Sequence, residues 1–191
     1  MYQYLLALLL PEPLHSEVWS LKQEVHQRTG SRNAVRLPPH ITLMPPLRQP
    51  TNFATEALPV LTRFATQHAA CPLQLDDFAW FQDRTLYVRV TQDNGLQQLH
   101  AALYAQLRQQ LPAVPPPTRP FVPHVTLATR DLPPELVPGL QQEFAYRTYQ
   151  TAGWLRELAF FHHDGQQWQE MERFLLQLPP NAENPGYPVK R

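Results

Sequence analysis

Hydrophobic and polar positions fall along the chain in blocks whose period changes between two and 3.6. Residues 2–10 are apolar at nearly every position, which predicts a strand buried on both faces. Pro11-Glu12-Pro13 ends it, and Leu14, Val18, Leu21 and Val25 then recur at helical spacing over 14–29, with Gly30 as the stop. An extended piece follows from Ala34 to Leu47, broken by Pro38-Pro39 and Pro45-Pro46. Phe53, Ala57, Val60, Leu61 and Phe64 set a second helix over 52–69. Residues 72–82 and 84–91 predict two strands joined around Gln82-Asp83, and in the second Leu86, Val88 and Val90 alternate with Tyr87 and Arg89. Leu96, Leu99, Leu103 and Leu107 mark a third helix, ended by Pro112. The proline-rich piece 112–120 leads to an extended segment from Phe121 to Thr129, a short helix near 133–144, and a closing hairpin of 154–162 and 167–177 that turns at Asp164-Gly165.

Strands in antiparallel pairs with helices between them make the class α+β. A single domain is expected over 1–178, and the polar tail 179–191 reads as disordered. The six glycines form neither a dinucleotide-binding loop nor a phosphate-cradling P-loop.

Charge narrows the partners. Sixteen basic residues cancel sixteen acidic ones, so no extended surface for coating nucleic acid is expected. A local pocket for a small or terminal phosphate remains compatible with neutrality. Only Lys22 and Lys190 are lysines, and the other basic residues are arginines. One cysteine, Cys71, excludes an internal disulfide and a cysteine-built zinc site. The apolar run Leu5–Leu10 is too short to span a bilayer and lacks the flanks of a signal peptide, so the expectation is a soluble, cytoplasmic protein without a membrane partner.

The informative feature is a repeat. Pro39-His40-Ile41-Thr42-Leu43 recurs, 84 residues later, as Pro123-His124-Val125-Thr126-Leu127. A bare His-x-Thr is expected by chance about once in two chains of this composition; with Pro before and Leu after, one copy falls to on the order of one in a hundred, and two copies far lower. In a strand, residues i and i+2 share a face, so His40 projects with Thr42 and His124 with Thr126, while Ile41, Leu43, Val125 and Leu127 point to the core. Two lobes facing each other would bring two imidazoles and two hydroxyls together. One imidazole, neutral, serves as base, and the other, protonated, as acid; the hydroxyls hold phosphate oxygens. A lone strand histidine is most often a core or surface residue, and it is the duplication that favours chemistry here.

These motifs, with Phe121 to Arg130 around the second and the hairpin from Trp154 onward, resemble those of the 2H phosphoesterase superfamily, which includes the bacterial 2′-5′ RNA ligase-like proteins and the cyclic nucleotide phosphodiesterases. The first motif is similar to the branch that opens on Pro-His-Ile-Thr-Leu. The resemblance implies a bilobal, pseudo-twofold α+β fold with antiparallel sheets lining a central cleft and helices outside. It implies a metal-independent phosphodiesterase, with no cofactor, that hydrolyses or reversibly ligates a cyclic phosphate or a 2′-5′ phosphodiester of a nucleotide or RNA end. By this carry-over His40 and His124 are the acid–base pair, and Thr42 and Thr126 bind the phosphate.

Further candidates lie near the motifs. Arg130, six residues after His124, suits a phosphate and would lower the imidazole pKa values; Arg36 and Arg48 flank the first motif. Phe81, Tyr87, Phe121 and Trp80 are candidates to stack a base. His162-His163-Asp164 is not read as a metal site, because adjacent strand residues diverge and Asp164-Gly165 serves the turn. The rival reading is a non-catalytic protein that binds a nucleotide or RNA end in the same cleft. The oligomeric state is not legible in the sequence.

Overall fold

Among the residues described by the computed structural model, 1–91 and 94–179, the chain forms eight strands and four α-helices. In order these are β1 (Tyr2–Leu9), α1 (Leu14–Thr29), β2 (His40–Gln49), α2 (Phe53–Gln67), β3 (Cys71–Phe81), β4 (Thr85–Val90), α3 (Asn94–Gln110), β5 (His124–Ala128), α4 (Val137–Phe144), β6 (Gln150–Leu155), β7 (Glu157–His163) and β8 (Trp168–Leu175). Short 3₁₀ turns occupy Asn33–Arg36 and Pro134–Leu136. The expected polar tail lies outside the described residues apart from Pro179.

The strands make two four-stranded antiparallel sheets, ordered β2-β1-β7-β8 and β5-β4-β3-β6. The fold is α+β, as expected. β2 and β5, the strands that open on the two histidines, are each the first edge of their sheet, and they pack against one another. A shift of 84 residues carries the starts of β1, β2, α2 and β3 onto those of β4, β5, α4 and β7, within two residues. The corresponding strands β3 and β7 are exchanged: β3, from the first half of the chain, pairs with β4, and β7, from the second half, pairs with β1.

β1 is buried on both faces, as its unbroken apolar run predicts. Tyr4, Leu6 and Leu8 join the main core, while Leu5, Ala7 and Leu9 pack with Ala159 and Phe161 of β7 on the other face. Beneath the motifs Ile41, Leu43, Val125 and Leu127 are all buried in the main core. β2 runs through Pro45-Pro46 rather than breaking there. The register slips between the pairs Tyr4–Leu47 and Leu6–Met44, so the prolines sit in a bulge of an edge strand, where no ladder donor is required.

α1 ends as predicted, with Gly30 in the left-handed conformation (φ 75°) and its N–H on the His26 carbonyl. Its start lies against β6. A Cβ on Gly153 would stand 3.3 Å from both Leu14 and Pro11, so any larger residue would have to push these side chains back. Arg28 and Arg147 bond Glu143 and Glu24 and tie α1 to α4. Two expectations are corrected. The buried stripe of α1 is Leu14, Val18, Lys22 and Val25, with Leu21 only half-buried. The segment around 154 is two strands: the chain leaves one sheet at Leu155 and enters the other at Glu157, so the closing hairpin is β7–β8 alone.

Candidate functional site

Each motif histidine is the first residue of its strand, and each is fixed in the same way. His40 Nδ1 lies 2.7 Å from the Pro38 carbonyl, and His124 Nδ1 lies 2.7 Å from the Val122 carbonyl, two residues upstream in both copies. A carbonyl only accepts, so Nδ1 carries the proton in both rings, and Nε2 keeps its lone pair when the ring is neutral. Thr42 and Thr126 follow at i+2 on the same face, both half-buried. His40 stands opposite Leu9 and Thr42 opposite Ala7; across the other sheet His124 stands opposite Arg89 and Thr126 opposite Tyr87.

The surroundings of the two rings differ. Phe81 and Tyr87 stack on each other at 4.1 Å and present to His124 at 4.8 and 5.3 Å, edge to face. His40 has instead Lys22 behind it. The Lys22 side chain is buried, and its Nζ donates to the Leu37 carbonyl at 3.0 Å and to the Pro38 carbonyl at 3.4 Å, the same oxygen that His40 uses.

These environments set the protonation states. Burial, then the Lys22 charge, pulls His40 down to about 4, against the Pro38 hydrogen bond, which favours the protonated ring. Burial also lowers His124, partly opposed by its bond to Val122. The expected lowering is present, but burial causes it in both rings, with Lys22 adding to it at His40, rather than Arg130. Burial brings Lys22 itself down to about 7.

The other candidates separate. Arg130 is exposed beyond the far end of β5, roughly 15–20 Å along the chain from His124 by strand rise. It lines, with Arg84, Asp83 and Asp131, a hollow of about 510 Å³ that includes neither imidazole. Arg36 is exposed in the 3₁₀ turn before His40, and Arg48 is exposed near the end of β2. Phe121 stacks flat on His100 at 4.1 Å and packs against the core, as does the half-buried Trp80. His162 and His163 diverge as expected, towards Tyr2 and towards Trp168, and Asp164 accepts from Gln166 and Gln167 in the turn. No group of three or more His, Cys, Asp or Glu among the described residues is placed to hold a metal ion. Sequence reasoning missed Lys22. Its signal was there: with Leu14, Val18 and Val25 it completes an i, i+4 spacing on the buried face of α1.

Comparisons with known proteins bear on the family and the fold. The sequence profile of the 2′-5′ RNA ligase superfamily matches residues 10–167. A Geobacillus thermodenitrificans protein named "Putative phosphoesterase" is 32% identical over 99 residues, a stretch covering 51% of this chain and 54% of that protein, so the chain spans about half the length of this relative. Among solved structures, TT0787 of Thermus thermophilus superposes with a TM-score of 0.68 at 21% identity, covering 92% of this chain and 98% of that one. LigT of E. coli complexed with ATP superposes at 0.59 with 19% identity and the same coverage, and LigT is also known complexed with NADP+ and 3′-AMP. No helix among the described residues is long and apolar enough to cross a membrane.

Proposed function

Because the chain belongs to the 2′-5′ RNA ligase superfamily, we propose that it is a metal-independent phosphodiesterase acting on a cyclic phosphate or 2′-5′ phosphodiester of a nucleotide or RNA end, with His40 and His124 as its acid–base pair. The observation that carries this reading is the duplicated half-site. Two edge strands that pack together each begin on an imidazole whose Nδ1–H is held by a carbonyl, with a threonine hydroxyl two residues on. In hydrolysis the neutral imidazole takes a proton from water through Nε2 as the oxygen bonds to phosphorus. The P–O bond to the leaving ribose oxygen breaks, and the protonated imidazole supplies that oxygen's proton. Ligation is the same path reversed. Thr42 and Thr126 donate to the non-bridging oxygens, where charge builds in the transition state. Phe81 and Tyr87 give the second half-site an aromatic wall on which a base or ribose packs. That LigT holds ATP and 3′-AMP supports a nucleotide as the class of ligand.

The test is turnover of 2′,3′-cyclic nucleotides and 2′-5′-linked dinucleotides by the purified protein in excess chelator. His40→Ala and His124→Ala should each lose ~10²–10⁴ in kcat. The double variant should lose little more than either single one, because the pair acts as a unit. Binding of these compounds without turnover would favour a non-catalytic nucleotide-binding protein, and activity abolished by chelator would remove the metal-independent step.

A further inference from the structure

The two half-sites are copies in what touches the rings and differ in what stands behind them. In each, a carbonyl two residues upstream takes the Nδ1–H at 2.7 Å. Behind the first carbonyl is a lysine that is 1% exposed, in the middle of the apolar stripe Leu14, Val18 and Val25. Behind the second, among the described residues, no buried cation holds the carbonyl: Val122 is 53% exposed, and Arg89, opposite His124 across the sheet, is engaged by Asp76 and Asp77. Among the described residues no carboxylate pairs with Lys22; its Nζ meets the Leu37 and Pro38 carbonyls and, at 5.7 Å, the Trp19 ring. A buried ammonium without a counter-ion is destabilising, and an apolar side chain would serve the stripe better. In a chain with two lysines among sixteen basic residues, this one sits where its charge reaches His40 through a single shared oxygen.

We propose that Lys22 is the positioning residue that tells the two histidines apart: by holding the Pro38 carbonyl for the His40 Nδ1–H and setting its ammonium beside that ring alone, it makes His40 the general base and leaves His124 the general acid. The assignment rests on the two-histidine reading above. The charged groups facing His40 are Lys22 from α1 and His124 from β5; β1 offers Leu9, and the 3₁₀ turn offers the exposed Arg36. Both charges that act on His40 are cationic, and both disfavour its protonation. Lys22, itself brought down to about 7, stays charged through the range in which the imidazoles titrate. There the Lys22 charge bears on His40 and not on His124, so when the two rings share a single proton His40 is the one kept neutral. That is the state that general-base attack by His40 requires.

Two measurements test this on the full chain. NMR of the histidine ring signals, assigned with His40→Asn and His124→Asn, follows each titration in the wild type and in Lys22→Met. The pH profile of kcat/KM on a 2′,3′-cyclic nucleotide shows which limb each ring controls. The expected result is a His40 midpoint below that of His124. Lys22→Met should raise it, as removal of a nearby like charge does, and leave His124 in place. The acid limb of the profile should rise with it while the alkaline limb stays. A wild-type His40 titrating at or above His124 overturns the proposal, and this result does not depend on Lys22→Met folding. So does a Lys22→Met protein in which only the alkaline limb moves, which would make His40 the acid, or in which neither midpoint moves. A protein that turns over none of the cyclic phosphates or 2′-5′ linkages loses the base and acid roles along with the enzyme reading, whereas the midpoints judge the Lys22 coupling separately.

Discussion

Acid should destabilise this protein in part through one side chain. His40 is brought down to about 4 in the fold. In the unfolded chain its imidazole titrates near 6.5. Between those values the unfolded state binds the extra proton, so stability rises with pH across the window and is lost as pH falls from about 6.5 towards 4. Below about 4 both states are protonated and this contribution no longer changes. At 1.36 kcal/mol per unit, the gap is worth about 3 kcal/mol, an upper figure because the ring is half-buried and water screens part of it. For a chain of this size that is a fall in Tm on the order of 6–12 °C. The reference is His40→Asn, which keeps an N–H for the Pro38 carbonyl but has no proton to take up. Urea unfolding followed by tryptophan fluorescence, from about pH 4 to pH 8, gives both stabilities. Their difference cancels the carboxylates common to the two proteins. Wild type should lose ground to the variant as pH falls through the window. A difference that stays flat, or that grows in favour of wild type towards acid, would refute the claim that the fold holds His40 neutral.

Other perturbations probe the same parts. Thr42→Ala and Thr126→Ala should each cost roughly 1.5–3 kcal/mol in kcat/KM, one hydrogen bond to a charged oxygen, with unfolding curves unchanged. Phe81→Ala opens the wall beside His124 and should let water raise its midpoint back towards 6.5, seen as an upward shift of that ring in an NMR titration with His40 unmoved. Gly153→Val forces side-chain carbon against Leu14 and Pro11, already 3.3 Å from a Cβ, and should cost about 1–3 kcal/mol in urea unfolding.

Much of the fold and the motif positions were legible because they depend on local rules. α1 runs over 14–29 and stops at Gly30 because apolar spacing and a left-handed glycine are written in adjacent residues. The two pentapeptides predicted which side chains would share a face, because strand geometry requires no distant partner. What escaped depends on the tertiary arrangement. The run from Trp154 to Phe161 has no turn residue, yet it changes sheets at Arg156, because β3 claims one part and β1 the other. Lys22 continues the i, i+4 series of α1, but what a lysine would do there stays hidden until the Leu37 and Pro38 carbonyls, 15 and 16 residues on, are found beside it. Arg130 is close to His124 in sequence, but an extended strand sets them apart.

The exchange of β3 and β7 has a consequence for how the polypeptide is made. β1 leaves the ribosome ahead of every other strand of this fold, buried at almost every position in the finished protein, and its partner β2 follows it closely in sequence. Its other edge waits for β7, which lies beyond the whole second sheet in sequence. At ribosomal speeds that is a delay on the order of ten seconds, during which an apolar strand offers unpaired backbone to any neighbour. Meanwhile β3, β4, β5 and β6 are complete by Leu155 and need nothing further from the chain to close their sheet. A nascent chain arrested there would carry both histidines and one finished sheet, with its first strands left as a two-stranded ribbon of the kind that is marginal in water. The lobe translated first is therefore the last to be completed, and nascent-chain chaperones have their longest task at the opening strand.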